Sequence, residues 1–316
     1  MTGNLYFHSP CFDGIVSAAL IWEFMEARRG WKRARLVPVN YHLRKRWLNL
    51  KLDRPAVVVD FLYHPHTDFW ADHHPTAFLT DEVRADFERR EGANFVYEQV
   101  ARSCAGVIWR HLHAQFRHRN GFFEELVGWA EKLDSATYES DEEALYGQAA
   151  AIQINTSLMA KDREGYSERL VEALREQTLD EVAARPDVKF RFREVDDLMN
   201  LGADRLKEVI YLDDEGYACF DVDITEVRMN RYAPFLFYPD ARYAIGLSRW
   251  GRGITLRAMR NPWQPNPSVH LGHIFEQFDG GGHERVGTLV LRGNKQKRAT
   301  ELFETILAEI KSQDVF

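Results

Sequence analysis

The sequence predicts an α/β protein. We expect an N-terminal domain with a parallel sheet and helices on both of its faces, a helical connector, and a smaller C-terminal α/β domain. Three observations favour this class. Short apolar segments alternate with a helical pattern in the first 60 residues, the region from about 140 to 210 is charged without a strand pattern, and an alternating period returns after residue 210. Strands that alternate with helices are typical of a parallel sheet with crossover connections.

Length and charge limit the functions that the chain can have. Its 316 residues suit two domains, expected over residues 1–190 and 205–316, and its net charge is −7. The acidic balance argues against coating long duplex nucleic acid, but it allows a short anionic substrate in a local basic pocket. Three scattered cysteines imply no disulfide framework. No apolar run approaches the roughly 20 residues of a membrane span, so we expect a cytoplasmic protein without a membrane partner.

The first domain opens with strands and helices in alternation. Residues 4–7 form a predicted strand, and apolar residues recur at helical spacing over 15–28. Residues 35–39 and Ala56–Val59 are the next strands, the second being the most apolar. Further helical patterns lie at 81–91 (helix or loop), 92–115, 122–133, 168–181 and 195–209, with a break near Pro186.

After residue 210 the pattern changes to that of a smaller α/β domain. The strands are predicted at 218–224, 244–247, 254–256 and 288–291. Helices are predicted at 271–278 and 295–311, and a loop rich in Pro and Asn covers 261–267.

Polar side chains follow the most apolar strand of the first domain. Asp60 comes directly after Ala56–Val59, and Asp72, His73 and His74 stand together in the next segment. Open α/β sheets place their chemistry at the carboxyl ends of the strands. Because Asp is rarely buried without a partner, a carboxylate beside two imidazoles is hard to explain as packing.

Two other segments offer the same kinds of ligand. His8 and Asp13 flank the first strand–helix loop, and Asp134 ends a predicted helix. Hydrolysis of a phosphodiester at a pair of divalent ions needs a shared carboxylate, further carboxylates and neutral imidazoles. Such oxygen-rich mixed sites suit Mn²⁺ or Mg²⁺ better than a structural zinc. The sequence therefore indicates a divalent-metal site.

These motifs resemble those of the DHH phosphoesterase superfamily, which includes RecJ-type exonucleases, nanoRNases and cyclic-dinucleotide phosphodiesterases. The matching N-terminal motifs are His8-x-x-Cys11-x-Asp13-Gly14, Val57-Val58-Val59-Asp60-Phe61 and Asp72-His73-His74, with Asp134 at the place of the fourth. The second half is similar to the DHH-associated substrate-binding domain in Ile254-Thr255-Leu256-Arg257 and Phe278-Asp279-Gly280-Gly281-Gly282-His283. The motifs span most of the chain in the order that the superfamily has.

The resemblance implies one or two ions, Mn²⁺ or alternatively Mg²⁺ or another divalent metal. His8 and Asp60 would hold the first ion. Asp13, His73 and Asp134 would hold the second together with Asp60, which would bridge the pair.

The resemblance also implies catalytic and substrate-binding residues. His74, with Asp72, would face the substrate or orient the nucleophile. Arg257 and His283 would bind the phosphate or the terminal nucleotide. The glycines Gly280, Gly281 and Gly282 would let the backbone approach a phosphate.

One position departs from the superfamily's pattern. The first motif usually has two carboxylates, and here the first is Cys11. A thiolate is a softer ligand than Mn²⁺ prefers. Three interpretations stay open: the first ion is weakly held, Cys11 binds a softer metal such as Zn²⁺ or Fe²⁺, or Cys11 fills a tight turn. A milder departure is Val286-Gly287-Thr288, which follows His283 in place of small residues.

Several other polar residues have simpler explanations. The helix register leaves Glu131, Glu139 and Asp141 as alternatives to Asp134. A solvent-exposed loop or helix face is favoured over a metal site for His64, His66, His111, His113 and His118. The basic clusters at 28–35 and 44–46 are better explained as solvated faces than as surfaces that steer an anion.

Together these features predict a Mn²⁺-dependent phosphoesterase that acts on short oligonucleotides or small nucleotides. Loss of a carboxylate at Cys11 motivates an alternative, a non-catalytic nucleotide-binding regulatory protein with a degenerate metal site. A single-strand-specific exonuclease is a further alternative, weakened because no additional oligonucleotide-binding domain is visible. The sequence leaves the oligomeric state open, a homodimer included.

Overall fold

The computed structural model describes residues 1–161, 165–265, 267 and 269–314, without the side chain of His283. The chain forms two compact units. The first comprises Met1–Thr137 and Gln148–Arg193, and the second comprises Tyr138–Gly147 and Glu194–Phe316. No helix in the described part is long and apolar enough to span a bilayer.

The first unit is built on a five-stranded parallel sheet. Its elements up to residue 134 are β1 (Thr2–His8), α1 (Phe12–Arg29), β2 (Arg33–Val39), β3 (Ala56–Val59), β4 (Phe69–Asp72), α2 (Asp81–Arg90), β5 (Phe95–Tyr97), α3 (Cys104–Phe116) and α4 (Glu124–Asp134). The strand order is β2-β1-β3-β4-β5, and all four pairings are parallel. Short 3₁₀ helices cover Tyr41–Asn49, between β2 and β3, and Gly121–Phe123.

The remaining helices lie between the two sheets in sequence. They are α5 (Asp141–Tyr146), which belongs to the second unit, α6 (Ala150–Leu158), α7 (Tyr166–Leu174), α8 (Leu179–Ala183) and α9 (Pro186–Val209), which contains the boundary between the units.

Helices cover both faces of the parallel sheet, as the sequence predicts. On one face, Tyr6, Val58 and Trp70 form a buried apolar cluster with Val83 and Phe87 of α2. Alternate strand residues point to the opposite face, where α1 contacts β1 and β3 and α3 contacts β4. Because every residue of β3 and β4 is buried, both strands lack the alternating pattern of a half-exposed strand.

The second unit contains a six-stranded mixed sheet. Its elements after α9 are β6 (Tyr211–Leu212), β7 (Ala218–Asp223), α10 (Ala233–Phe237), β8 (Tyr243–Trp250), β9 (Gly253–Arg260), α11 (Leu271–Glu276), β10 (Gly281–His283), β11 (Val286–Leu291) and α12 (Ala299–Gln313). The strand order is β10-β11-β9-β8-β7-β6, in which β7 and β8 are parallel and the other pairs antiparallel. Ile274 of α11 and Ile306 of α12 are buried in its core, so the predicted smaller α/β domain is confirmed.

The helical pattern predicted over 92–115 is wrong in its first half. Residues Phe95–Tyr97 form strand β5, and the helix begins only at Cys104. Val100, counted in the helical pattern, is 98% exposed. The predicted helix over 168–181 is two helices, α7 and α8, and strand β4 was not predicted. Strand β4 has only four residues, all of them buried, so its sequence carries too little periodicity to distinguish a strand from a helix.

Candidate metal centre

The carboxyl ends of three neighbouring strands bring the candidate ligands to one edge of the parallel sheet. Phe7 of β1 pairs with Val59 of β3, which pairs with Ala71 of β4. His8 and Asp72 are the last residues of β1 and β4, and Asp60 directly follows β3. The three residues therefore lie side by side at one edge of the sheet. This register explains why residues more than 60 positions apart in sequence form one site.

Asp60 occupies the centre of this edge. It is fully buried, and its φ of 56° lies in the left-handed region, which Asp tolerates better than most residues. Its backbone N–H donates to the carbonyl of Ala71 at 3.0 Å, which continues the pairing between β3 and β4. The chain thus turns sharply after β3 while Asp60 stays fixed to the sheet.

Asp13 is held by the beginning of another helix. Its carboxylate accepts hydrogen bonds from the backbone N–H groups of Cys104 at 2.7 Å and Ala105 at 2.9 Å. These are the first residues of α3, whose free N–H groups and helix dipole favour an anion. Close packing also positions the start of α1: a Cβ on Gly14 would lie 2.1 Å from the carbonyl oxygen of His8. Glycine is therefore required at this position.

His73 presents a free ring nitrogen to three carboxylates. Its Nδ1 lies 3.0 Å from the carbonyl oxygen of Ala101, which assigns the proton to Nδ1 and leaves a lone pair on Nε2. Nε2 lies 3.4 Å from Asp134 Oδ2 and 3.7 Å from Asp13 Oδ2. It also lies 3.8 Å from Asp60 Oδ1. The ring is oriented as a metal-binding imidazole usually is, by a hydrogen bond at its other nitrogen.

His74 is oriented by Asp72 and differs from His73 in its hydrogen-bond partner. Its Nδ1 lies 2.8 Å from Asp72 Oδ1, which also accepts from the backbone N–H groups of His73 and His74. Burial lowers the pKa of His74, but the hydrogen bond to Asp72 and the charge of that carboxylate outweigh it and raise the pKa to about 9. His74 is thus a protonated imidazole near neutral pH.

Three groups of candidate ligand atoms lie around Asp60. One contains Asp60, Asp72, His73 and His74, but Nδ1 of His74 is already committed to Asp72 at 2.8 Å. The other two are called the two ligand groups. His8, Cys11 and Asp60 offer donor atoms that all lie within 4.8 Å of one another, and the same holds for Asp13, His73 and Asp134. One oxygen of Asp60 lies 3.3 Å from His8 Nδ1, and the other faces His73. A carboxylate placed between two ligand groups suits a bridging role.

Three buried atoms of the site have no hydrogen-bond partner among the described residues. They are Asp60 Oδ1, Asp72 Oδ2 and His73 Nε2. A buried polar atom without a partner is costly, and one explanation for such an atom is an absent ion. The donor set, rich in carboxylates with imidazole nitrogens, fits divalent cations. The residues therefore fit the metal that the resemblance implies.

Mutual repulsion among the carboxylates shows why a cation would be favourable. Burial and the charge of Asp134 raise the pKa of Asp13 to about 6. Burial, with the charges of Asp13 and Asp72, raises the pKa of Asp60 well above its usual range. Burial also lowers the pKa of His8 to about 4, so this ring is neutral near pH 7 and able to bind a metal.

We expect Mn²⁺ to stabilise the metal-free protein more at pH 8.5 than at pH 6. The folded-state pKa values of Asp13, about 6, and His74, about 9, exceed the unfolded values of 3.8 and 6.5. Each group therefore makes the protein less stable as pH rises between its two values, and His74 does so from 6.5 to 9. Bound cations offset the carboxylate repulsion, and protons compete with them below about pH 6.

Thermal unfolding of EDTA-treated protein, with and without Mn²⁺, measures this effect. At one fixed Mn²⁺ concentration, a hundred times the dissociation constant at pH 8.5, the stabilisation at pH 8.5 should be about 2.7 kcal/mol, a gain of several degrees in Tm, and it should be smaller at pH 6. An equal gain at both pH values would contradict the assignment of the carboxylates as ligands. Mg²⁺ in the same titration compares the two candidate ions.

Several alternative residues lie outside these two groups. Glu131 forms an ion pair with Arg110 at 2.9 Å. His64 is buried, and its Nδ1 accepts the backbone N–H of His66 at 3.1 Å, which is a structural role. His118 pairs with Glu23 at 2.7 Å. None of these three belongs to the ligand groups found among the described residues.

Tyr41 is a site residue that sequence reasoning missed. It begins the 3₁₀ helix Tyr41–Asn49, and its ring lies 5.2 Å from that of His8 and 6.2 Å from that of His74. Burial raises its pKa, and the charges of Asp72 and Asp60 add to the effect, so its hydroxyl stays protonated. The available signal was its position three residues before Arg44, where the basic cluster at 44–46 begins.

In the second unit, the predicted substrate-binding residues lie on adjacent strands. Arg257 of β9 pairs with Thr288 of β11, which pairs with Gly281 of β10. Burial lowers the pKa of Arg257, and the nearby Arg231 adds to this effect. No acidic partner of Arg257 is found among the described residues. The backbone of His283 continues β10, whereas its side chain lies outside the described part.

The three glycines of this segment have different surroundings. A Cβ on Gly280 would lie 2.8 Å from the carbonyl oxygen of Thr288, and one on Gly282 would lie 2.0 Å from that of Val286. Both are therefore needed for close packing against β11. At Gly281, no described atom lies within 4 Å of the position that a Cβ would take, so this glycine alone leaves open space for a ligand.

Comparison with solved structures finds the same fold over nearly the whole chain. The pGpG-specific phosphodiesterase PggH from Vibrio cholerae is similar over 99% of this chain and 100% of that chain, with 17% identity and a TM-score of 0.73. A DHH domain from a member of the s1p family of ribosomal proteins is similar over 97% of this chain and 86% of that chain, with 12% identity and a TM-score of 0.59.

RecJ from Thermus thermophilus, solved in complex with Mn²⁺, is similar over 98% of this chain and 51% of RecJ, with 12% identity and a TM-score of 0.53. No protein-family profile and no curated protein sequence matches the chain. The similarity therefore lies in the fold, where it confirms the resemblance drawn from the motifs.

Proposed function

From the DHH fold and the two ligand groups that meet at Asp60, we propose that the protein is a metal-dependent phosphoesterase. The observation that carries the proposal is the buried Asp60, whose two oxygens face different ligand groups. The names of PggH and RecJ, a phosphodiesterase and a protein solved with Mn²⁺, support it at the level of the fold. Mn²⁺ is the proposed ion.

Each of the two ligand groups would hold one cation of a pair. His8 and Asp60, with Cys11 beside them, would hold one ion, and Asp13, His73 and Asp134 would hold the other with Asp60. When bound, such a pair activates water and neutralises charge that develops on phosphoryl oxygens. The side chain of Asp134 is 28% exposed, so the second group is open to solvent and to substrate.

His74 would assist the substrate rather than the metal. Because Asp72 keeps its ring protonated near neutral pH, His74 can donate a hydrogen bond to a phosphoryl oxygen or a proton to a leaving group. The hydroxyl of Tyr41, beside the same ring, is a further donor that could contact the substrate. Asp72 is the positioning residue of this pair.

The second unit would bind the anionic end of the substrate. Arg257 offers a planar set of donors that matches a phosphate, and it has no acidic partner in the described part of the unit. Gly281, adjacent through Thr288, leaves room for a phosphate group. The acidic net charge of −7 favours short oligonucleotides or small nucleotides over long duplexes.

A panel of small substrates tests the proposal. With Mn²⁺, we expect the purified protein to hydrolyse at least one of pGpG, a pentanucleotide, a cyclic dinucleotide and 3′,5′-bisphosphorylated adenosine. The linear oligonucleotides would release mononucleotides, the cyclic dinucleotide would open to a linear one, and the bisphosphorylated adenosine would release phosphate. Asp53→Asn, which removes an exposed carboxylate paired with Arg35 on the surface, is a matched control that should keep the activity. If the protein bound Mn²⁺ normally and left every substrate intact, hydrolysis would be the wrong function.

One observation favours a second candidate, a non-catalytic nucleotide-binding regulator. Cys11 stands in the first ligand group where a carboxylate is expected. Nucleotide binding without turnover, unchanged by Asp60→Ala, would support this candidate over the enzyme.

A further inference from the structure

The two ligand groups differ in one atom type. His8, Cys11 and Asp60 provide a sulfur beside nitrogen and oxygen, whereas Asp13, His73 and Asp134 provide only nitrogen and oxygen. Ligand softness is a main determinant of which divalent ion a site prefers, since thiolates favour softer ions and carboxylates favour Mg²⁺ and Mn²⁺. The two positions are therefore chemically unequal.

The backbone holds Cys11 at its position in the first group. It directly precedes α1 in an extended conformation and stands two residues before Asp13. A Cβ on Gly14 would lie 2.1 Å from the carbonyl oxygen of His8 and 3.1 Å from Asp60 Oδ2, so the start of α1 is packed directly against both other ligands. Cys11 and Asp13 are thus directed to different ligand groups by one short turn.

A second observation points to a cation beside Asp60. This residue is fully buried, and its Oδ1, which faces His73 and His74, has no hydrogen-bond partner among the described residues. The neighbouring Cys104 offers a contrast, because its thiol donates to the carbonyl oxygen of Ala71 at 3.2 Å and is accounted for by packing. Cys11 is half-buried, and its sulfur lies within 4.8 Å of a donor atom of His8 and of one of Asp60.

We propose that Cys11 binds the first ion through its sulfur and makes that position selective for a borderline ion such as Fe²⁺, Co²⁺ or Zn²⁺. The second position, without sulfur, keeps Mn²⁺ or Mg²⁺, so the centre is a mixed-metal pair. On binding, the thiol loses its proton to solvent and the sulfur–metal bond forms without any redox change. This inference rests on the proposed metal centre, but it does not depend on the substrate.

Cobalt substitution tests the proposal through a signal that is independent of activity. Co²⁺ titrated into the EDTA-treated full chain should give a near-ultraviolet thiolate-to-cobalt charge-transfer band. Cys11→Ser and Cys11→Asp should lose the band, whereas Cys104→Ala and Cys219→Ser should keep it. With Zn²⁺, X-ray absorption should show one sulfur neighbour at about 2.3 Å in the wild type and none in Cys11→Asp. Cys11→Asp should also lower the preference for Co²⁺ over Mn²⁺ roughly tenfold or more.

The possible outcomes separate this inference from the proposed function. Stoichiometric Co²⁺ binding without the band, or a band that persists in Cys11→Asp, would overturn sulfur ligation while Mn²⁺-dependent hydrolysis could still be measured. Failure of the wild type to bind any divalent ion would overturn both. Loss of the band in Cys104→Ala, with Cys11→Ser unaffected, would assign the sulfur ligand to the other cysteine and so contradict the proposal.

Discussion

Replacing Asp60 with Asn should abolish hydrolysis and Mn²⁺-induced stabilisation together. Asp60 lies between the two ligand groups, with one oxygen near His8 and the other facing His73. An amide of the same shape offers one neutral oxygen, so the variant cannot bridge two cations. Because removal of an outer hydrogen-bond partner already costs 10–100-fold, loss of the shared ligand should lower kcat/KM by about a thousand-fold or more.

The same variant should not lose stability in the absence of metal. Burial and neighbouring carboxylates raise the pKa of Asp60, so its charged form is unfavourable in the folded protein. We expect the EDTA-treated Asp60→Asn protein to unfold at or above the temperature of the EDTA-treated wild type at pH 8. Asp53→Asn, on the surface, is the matched control and should keep both activity and metal response. Retained hydrolysis in Asp60→Asn would remove this residue from the metal centre.

Replacing His74 with Gln should lower kcat by roughly a hundred- to a thousand-fold while metal binding stays intact. Its Nδ1 is committed to Asp72, and its protonated ring is suited to donate to substrate rather than to bind a cation. The wild-type rate should fall as pH rises through about 9, where His74 loses its proton. This fall in rate at high pH should be absent from His74→Gln, and in Asp72→Asn it should occur at lower pH.

A control for this prediction lies nearby. His42 is exposed in the 3₁₀ helix Tyr41–Asn49, and His42→Gln should leave kcat and the pH profile unchanged. Calorimetric titration of Mn²⁺ into His74→Gln separates a substrate role from a metal role. If the variant lost Mn²⁺ affinity in proportion to its rate, His74 would be a ligand instead of a donor.

The ends of β1 and β3 were predictable because each carries a local signal. Ala56–Val59 is wholly apolar and is followed at once by Asp60, and parallel strands bring their carboxyl ends to one edge. The motif that contains His8 and Asp13 shows a strand, a turn and a helix in order. Long-range convergence then follows from the topology of the sheet.

Other features depend on contacts between segments that are distant in sequence, so no short stretch of sequence predicts them. Strand β5 and residue Val100 fall in a helical-looking pattern, but pairing with β4 fixes the strand. Tyr41 reaches the site only because the 3₁₀ helix follows β2. Close packing of Gly280 and Gly282 against β11 was not predicted either, and their role in phosphate binding stays a prediction.

Crystals soaked in Mn²⁺ and measured at the manganese absorption edge give the most direct test of the central claim, which is that one sheet edge holds two cations around Asp60. Two anomalous peaks are expected about 3.5–4 Å apart, one beside Asp13, His73 and Asp134 and the other beside His8, with Asp60 touching both. If the position beside His8 and Cys11 selects against Mn²⁺, Co²⁺ can replace Mn²⁺ in the soak. Peaks elsewhere in the molecule, with this edge empty at saturating metal, would contradict the account.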